Sequence, residues 1–176
     1  MKLLLGAGNK TEPGFTTMDI LPSADIVADL EKKPWPVPDN SVDEVYAANI
    51  LEHLHDLVGV MEELYRICKD GARVGIKVPY FKSMAQFKQP THVTAFTERT
   101  FEYFDADNLS EDERNMMAAG TLKANFRTEK ITYNYYTRGT RFLPFKGLLR
   151  RFLWDIVKTI SFELRVVKPV APKAEL

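Results

Sequence analysis

Five short apolar or β-branched runs, each stopping at a turn or a polar residue, occupy most of the first eighty residues, with one clear helix among them. Lys2 to Leu5 ends in Gly6-Ala7-Gly8, the pattern of a buried strand that stops at a tight turn. Phe15 to Ile20 and Asp25 to Leu30 follow as short strands carrying Asp19 and Asp29 at their ends. After the Pro-rich loop KKPWPVPDNS, Val42 to Ala48 reads as a fourth strand. Leu57 to Cys68 places Leu57, Val58, Val60, Met61, Leu64 and Cys68 at helical spacing before a glycine stop at Gly71, and Arg73 to Val78 is a fifth strand closed by Pro79. This order predicts an α/β, Rossmann-like fold. It has a mostly parallel central sheet with an antiparallel C-terminal strand, helices on both faces and an abbreviated N-terminus.

Further along, Thr97 is placed to N-cap a helix running through Phe104, and Ser110 with Glu113 forms a capping box for another. Phe126 to Tyr136 alternates as a strand. Leu148, Leu149, Phe152, Leu153, Ile156, Val157 and Ile160 fall on one helical stripe, with Phe162 to Val167 as a final strand. The chain of 176 residues suits one domain with a frayed tail over 169–176.

Charge restricts the partners. Lysine plus arginine equals aspartate plus glutamate at 24 each, so no whole-molecule field recruits bulk nucleic acid. The distribution is uneven: residues 1–120 carry 12 basic and 20 acidic side chains, residues 121–176 carry 12 and 4. Cys68 is the single cysteine, which excludes an intrachain disulfide and fits a reducing, cytoplasmic setting. The first residues run straight from apolar strand to glycine turn, too short for a signal-peptide core. Leu148 to Phe162 is interrupted by Arg150, Arg151, Asp155 and Lys158, so it lacks the roughly 20 apolar residues of a membrane span.

In an open parallel sheet, ligands bind beyond the carboxyl ends of the strands. Gly6-Ala7-Gly8-Asn9, Asp19, Asp29-Leu30, Asn49 and Pro79-Tyr80 close the five strands and would meet at one crevice. An adenosyl ligand with an amino acid tail has a use for each. Glycines let the backbone approach the tail, Asp19 can accept from both ribose hydroxyls and Asp29 from the adenine amino group, while Leu30 and Trp35 offer apolar faces. A lone G-x-G or a strand-end aspartate is common, so the order of the pieces carries the weight.

At this point the chain resembles the class I S-adenosylmethionine-dependent methyltransferases, within them the methyltransferase type 11 group. The resemblance lies in LLLGAGN, FTTMDI, DIVADLEKKPWPVPDNSVDEVYAANILEHLHD, the helix after it and RVGIKVPY, with HVTAFTERTF and ELRVVKP as weaker matches. It implies S-adenosylmethionine as cofactor, held by Gly6, Ala7, Gly8, Asp19, Ile20, Asp29, Leu30 and Asn49. Residues 1–80 would then be the cofactor half and 81–168 the acceptor half. One departure stands out: twelve residues separate Gly6 from Asp19, where a dinucleotide fingerprint has about 20 and a full helix. The first crossover is therefore a loop or a single turn.

The implied reaction is in-line methyl transfer, which needs proximity, orientation and exclusion of water, and neither metal nor covalent nucleophile. His92 is the candidate base, set in the loop QPTHVTAFT after the fifth strand, with packing against the Thr97 helix as its structural alternative. His53 and Tyr80 are acceptor-side candidates; the alternatives are a role where the chain runs into the helix for His53 and packing beside Pro79 for Tyr80. The favoured acceptor is a small molecule or sugar. Arg138, Arg141, Arg150 and Arg151 around an amphipathic helix could also receive an anionic acceptor or membrane surface, against the alternative of a helix packed on its own sheet. Two other functions fit the same fold: an NAD-dependent oxidoreductase, disfavoured by the short crossover and by Asp29, and a non-catalytic binding or scaffold protein.

Overall fold

The computed structural model describes residues 1–119, 122–136 and 144–169, apart from the side chains of 116–118 and 146. Arg138, Arg141 and the tail from 170 lie outside them. Seven strands form one sheet in the order β3-β2-β1-β4-β5-β7-β6. These are β1 (Lys2–Leu5), β2 (Thr16–Asp19), β3 (Ile26–Val27), β4 (Val42–Ala48), β5 (Cys68–Pro79), β6 (Phe126–Tyr135) and β7 (Val157–Val166). β1 to β5 pair in parallel, and β7 runs antiparallel between β5 and β6. The chain therefore has the Rossmann-like sheet and antiparallel C-terminal strand its sequence predicts.

Alternation in the strands divides the sheet into two unlike faces. Leu3, Leu5, Val45, Ala47, Val74, Ile76, Val78, Ile160, Phe162 and Leu164 point into one core, onto which α1 (Leu57–Ile67) lays Val60, Met61, Leu64 and Ile67. Each such side chain contributes roughly 1.5–3 kcal/mol by leaving water. Phe101 meets Phe162 edge-on at 4.7 Å and stacks on Phe96 at 5.8 Å, closing the core at its far end. Lys2, Glu44, Tyr46, Arg73, Gly75, Lys77, Glu163 and Arg165 take the alternate positions and form a polar second face.

The second face is only lightly covered along the parallel strands. Among the four parallel crossovers only the last holds helix, the 3-10 turn Leu51–His53 and α1. Parallel sheets usually bury both faces under crossover helices. Here the crossover from β1 to β2 forms no helix; it carries Phe15, over whose ring Lys2 Nζ sits at 5.5 Å. The strands answer with polar residues on the open side.

Three local expectations shift. α1 ends at Ile67 and β5 begins at once with Cys68, which pairs with Val42, so Gly71 lies inside the strand as an irregularity at φ 72°. Thr97 does not cap a long helix: its hydroxyl accepts from Arg99 N–H at 3.1 Å, and a 3-10 helix follows over Thr100–Phe104. The long C-terminal stripe breaks in two. The helix here called α4 (Lys146–Phe152) stops before Asp155, which sits at φ 60°, and Val157 and Ile160 belong to β7. The predicted capping box forms at α3 (Glu111–Ala118), with Ser110 N–H donating to Glu113 Oε2 at 2.8 Å and Glu113 N–H to Ser110 Oγ at 3.3 Å. A further short helix, α2, spans Met84–Phe87.

Candidate active site

The turn after β1 is fastened to the end of β2. Gly6 N–H donates to Met18 O at 2.9 Å, continuing the parallel ladder, and Gly8 N–H donates to Asp19 Oδ2 at 2.8 Å. Both glycines have left-handed backbones, at φ 59° and 57°. Their surroundings differ: a Cβ on Gly6 would overlap Ile50, whose Cβ is 2.6 Å away, whereas one on Gly8 meets nothing within 4 Å. Gly6 is thus required by packing, and Gly8 borders open space.

Asp19 is 9 % exposed and accepts a second bond from Leu21 N–H at 3.0 Å through Oδ1. A carboxylate has about four acceptor positions, so two remain on Asp19 for a ligand. Ile20, next in the chain, is an apolar residue left 65 % exposed. Asp29 lies just past β3, whose chain is tied to β2 by Ala28 N–H donating to Asp19 O at 2.9 Å. Its Oδ1 accepts from Glu31 N–H at 3.0 Å. The two carboxylates therefore stand at the ends of neighbouring strands, on the same edge as the glycine turn.

Leu30 and Trp35, the apolar faces expected for the ring, lie at the edge of the core. Both are core residues, 6 % and 3 % exposed, and Trp35 Nε1–H donates to Leu30 O at 3.1 Å. Asn49 follows β4 in a left-handed conformation at φ 54°, with its N–H donating to Lys77 O at 2.8 Å. Gly6, Ala7, Lys10 and Asn49 line one end of a cleft of about 940 Å³, which continues along the polar sheet face past Tyr46, Gly75 and Arg165. Asp19 and Asp29 lie outside its walls.

Beyond Asn49 the chain forms the 3-10 turn Leu51–His53, which gathers a cluster across the sequence. Val93 and Thr94 N–H both donate to Glu52 O, at 2.8 and 3.2 Å, and Thr94 Oγ1 donates to Leu54 O at 3.3 Å. These bonds bring His92 beside His53, ring centroids 4.7 Å apart and edge-on. His92 thus packs on His53. Glu52 is 1 % exposed with neither carboxylate oxygen hydrogen-bonded, and burial pushes its carboxyl up to about 7. Sequence reasoning passed over Glu52; the signal was a carboxylate wedged between buried Leu51 and a histidine. Tyr80 is buried at 3 % exposure, donates to Glu98 Oε2 at 3.1 Å and meets Tyr133 edge-on; burial holds its hydroxyl above its ordinary range.

Residues 10–76 match the methyltransferase domain family. Nothing among curated proteins matches the chain. Among solved structures it is similar to an S-adenosylmethionine-dependent methyltransferase from Archaeoglobus fulgidus, at 15 % identity and TM-score 0.60 over 93 % of this chain and 85 % of that one. It is also similar to a methyltransferase from Bacillus halodurans (14 %, 0.55, 95 % and 92 %). A third similar structure is a complex of the Haloferax volcanii Trm112 methyltransferase activator with a methyltransferase (15 %, 0.55, 96 % and 82 %). The strand order and the glycine turn bonded to the acid of β2 give this chain the fold of these S-adenosylmethionine-dependent methyltransferases, and its residues 10–76 match the methyltransferase domain.

Proposed function

We propose that the protein methylates a small molecule or sugar bound beside the Glu52, His53 and His92 cluster. The observation that carries this reading is the Gly8–Asp19 bond at 2.8 Å, which sets the glycine turn and a carboxylate with spare acceptor positions on the sheet edge that Asn49 also closes. Gly6, Ala7 and Gly8 would meet the amino acid tail, Asp19 the ribose, Ile20 an adenine face and Asp29 its amino group, with Leu30 supporting them from the core and Asn49 at the reacting end. S-adenosylmethionine supplies a methyl group on a positively charged sulfur. The chain's task is to align an acceptor atom with that methyl and keep water out. His53 and His92, beyond Asn49, stand on the acceptor side.

The test is transfer of labelled methyl to a panel of sugars and small hydroxylated or amino compounds, with S-adenosylhomocysteine measured as co-product. Label that stays on the cofactor with every class, despite tight S-adenosylhomocysteine binding, would point to a non-catalytic binding protein. Label found only on protein or RNA would replace the acceptor class.

A second contact is favoured by α4. Phe145, Leu148, Phe152 and Trp154 are 80 %, 59 %, 70 % and 59 % exposed, and Trp154 touches Phe87, itself 62 % exposed, across to α2. Exposed aromatic residues interleaved with Arg151, Lys82 and Lys158 suit an anionic lipid surface. Arg150 sits over the Tyr133 ring at 3.6 Å and anchors the helix instead. We propose that this patch brings the enzyme to an anionic membrane. No described helix is long and apolar enough to cross one. Co-sedimentation with phosphatidylglycerol vesicles but not phosphatidylcholine vesicles, lost in Arg151→Glu with Trp154→Ala, is expected; binding to neither, or equally to both, sinks the idea.

A further inference from the structure

The Glu52 cluster presents acceptors without donors. His53 Nδ1 lies 3.2 Å from Thr91 O, and a carbonyl only accepts, so Nδ1 carries the proton and Nε2 the lone pair. His92 is held the same way, with Nδ1 donating to Gln86 O at 2.8 Å. Its Nε2 faces Gln89 Oε1 at 3.0 Å, another acceptor, although an amide turned end for end would donate there. Glu52 has no such remedy: both oxygens are buried and without a partner. One oxygen of Glu52 and one nitrogen from each ring lie within 4.8 Å of one another.

A histidine whose Nδ1–H is fixed by a backbone carbonyl is oriented as metal-binding histidines are. Two such rings with a carboxylate make a donor set of two nitrogens and one oxygen, the facial arrangement that leaves coordination positions open. Ligand atoms in a facial or tetrahedral set on an ion at about 2.1 Å lie about 3.0–3.4 Å apart, so the widest pair of this cluster has to close by up to about 1.4–1.8 Å, within reach of side-chain rotation. Magnesium and calcium prefer all-oxygen sites, and the imidazoles select against them.

We propose that Glu52, His53 and His92 bind a divalent transition-metal ion of the Zn²⁺, Mn²⁺ or Co²⁺ kind. Its role rests on the methyltransferase reading: an ion with open positions beside Asn49 holds an acceptor hydroxyl and lowers its pKa, which makes the acceptor an oxygen nucleophile. His92 then acts through the ion and not as a free base. Binding of the ion itself does not depend on that reading.

The experiment titrates untagged, chelator-stripped protein with Zn²⁺, Mn²⁺, Co²⁺ and Mg²⁺ by calorimetry, follows the visible spectrum of the Co²⁺ form, and titrates S-adenosylhomocysteine in parallel. Expected is single-site binding of a transition ion, weakened about 10–100-fold or more in Glu52→Gln, His53→Ala and His92→Ala and unchanged in His55→Ala. Thermal melts of the metal-free variants confirm that they fold. Two results overturn the proposal: no transition ion binding more tightly than Mg²⁺, or wild-type affinity in Glu52→Gln and His53→Ala. Binding of S-adenosylhomocysteine without any ion sinks the metal site alone; binding of the ion without S-adenosylhomocysteine sinks the cofactor reading alone.

Discussion

Gly8 donates its backbone N–H to Asp19 Oδ2 at 2.8 Å, so the turn after β1 and the carboxylate closing β2 are one unit. In a fold whose first crossover has lost its helix, this bond does what a helix would otherwise do: it fixes the turn relative to the neighbouring strand. The same contact leaves Gly8 bordering open space and Asp19 with unused acceptor positions.

The two glycines of that turn should respond differently to substitution. Gly6→Ala combines a left-handed backbone with overlap against Ile50, and is expected to cost about 2–4 kcal/mol. Gly8→Ala meets nothing, and should cost only the left-handed penalty of about 1 kcal/mol. Denaturant unfolding of both variants checks this; equal losses would mean that Ile50 does not press on the turn.

A polar network under α1 should set the acid limit of stability. Arg66 donates to Glu63 through Nε and Nη2, both at 2.8 Å, and Glu63 Oε2 also accepts from Trp35 N–H at 2.8 Å. The Arg66 guanidinium holds the Glu63 carboxyl below its ordinary value near 4.5. A carboxyl lowered on folding stabilises the protein above that value and loses its contribution as pH falls through the lowered one. Stability is therefore expected to fall below about pH 4.5. Arg66→Ala, which strands Glu63, should cost about 2 kcal/mol at neutral pH and flatten the acid limb. Chemical denaturation across pH tests both; an Arg66→Ala protein with the wild-type acid limb contradicts it.

Cys68 begins β5 with no exposed surface, and burial pushes its thiol up to about 12. It should not react with iodoacetamide at pH 8 in the folded protein and should react freely once unfolded. Native-state labelling at the rate of a free thiol would show that β5 opens locally at its start.

Much of the fold was legible because burial is one-sided. From Ala72 to Val78 in β5 and from Ile160 to Val166 in β7 every second residue is buried and those between are more exposed, which fixes strand and face together. The same rule made the C-terminal third misleading. Leu148, Leu149, Phe152 and Leu153 share a helical stripe with Val157 and Ile160, but the helix ends where Asp155 adopts φ 60° and accepts from Met84 N–H at 2.8 Å. That tertiary contact has no local signature. Gly6, Gly8, Asp19 and Asn49 were readable because strand ends and turns announce themselves. Glu52 was not, because its environment comes from a segment forty residues away that reaches it through backbone bonds to Val93 and Thr94.

Calorimetry with S-adenosylhomocysteine, S-adenosylmethionine and NAD, on wild-type protein and on Asp19→Ala, tests the cofactor assignment most directly. The adenosyl ligands should bind and NAD should not, and Asp19→Ala should weaken them at least tenfold, about 1.4 kcal/mol, while its unfolding transition persists. Folded wild-type protein that ignores S-adenosylhomocysteine, or a folded Asp19→Ala that binds it as tightly as wild type, would contradict the account.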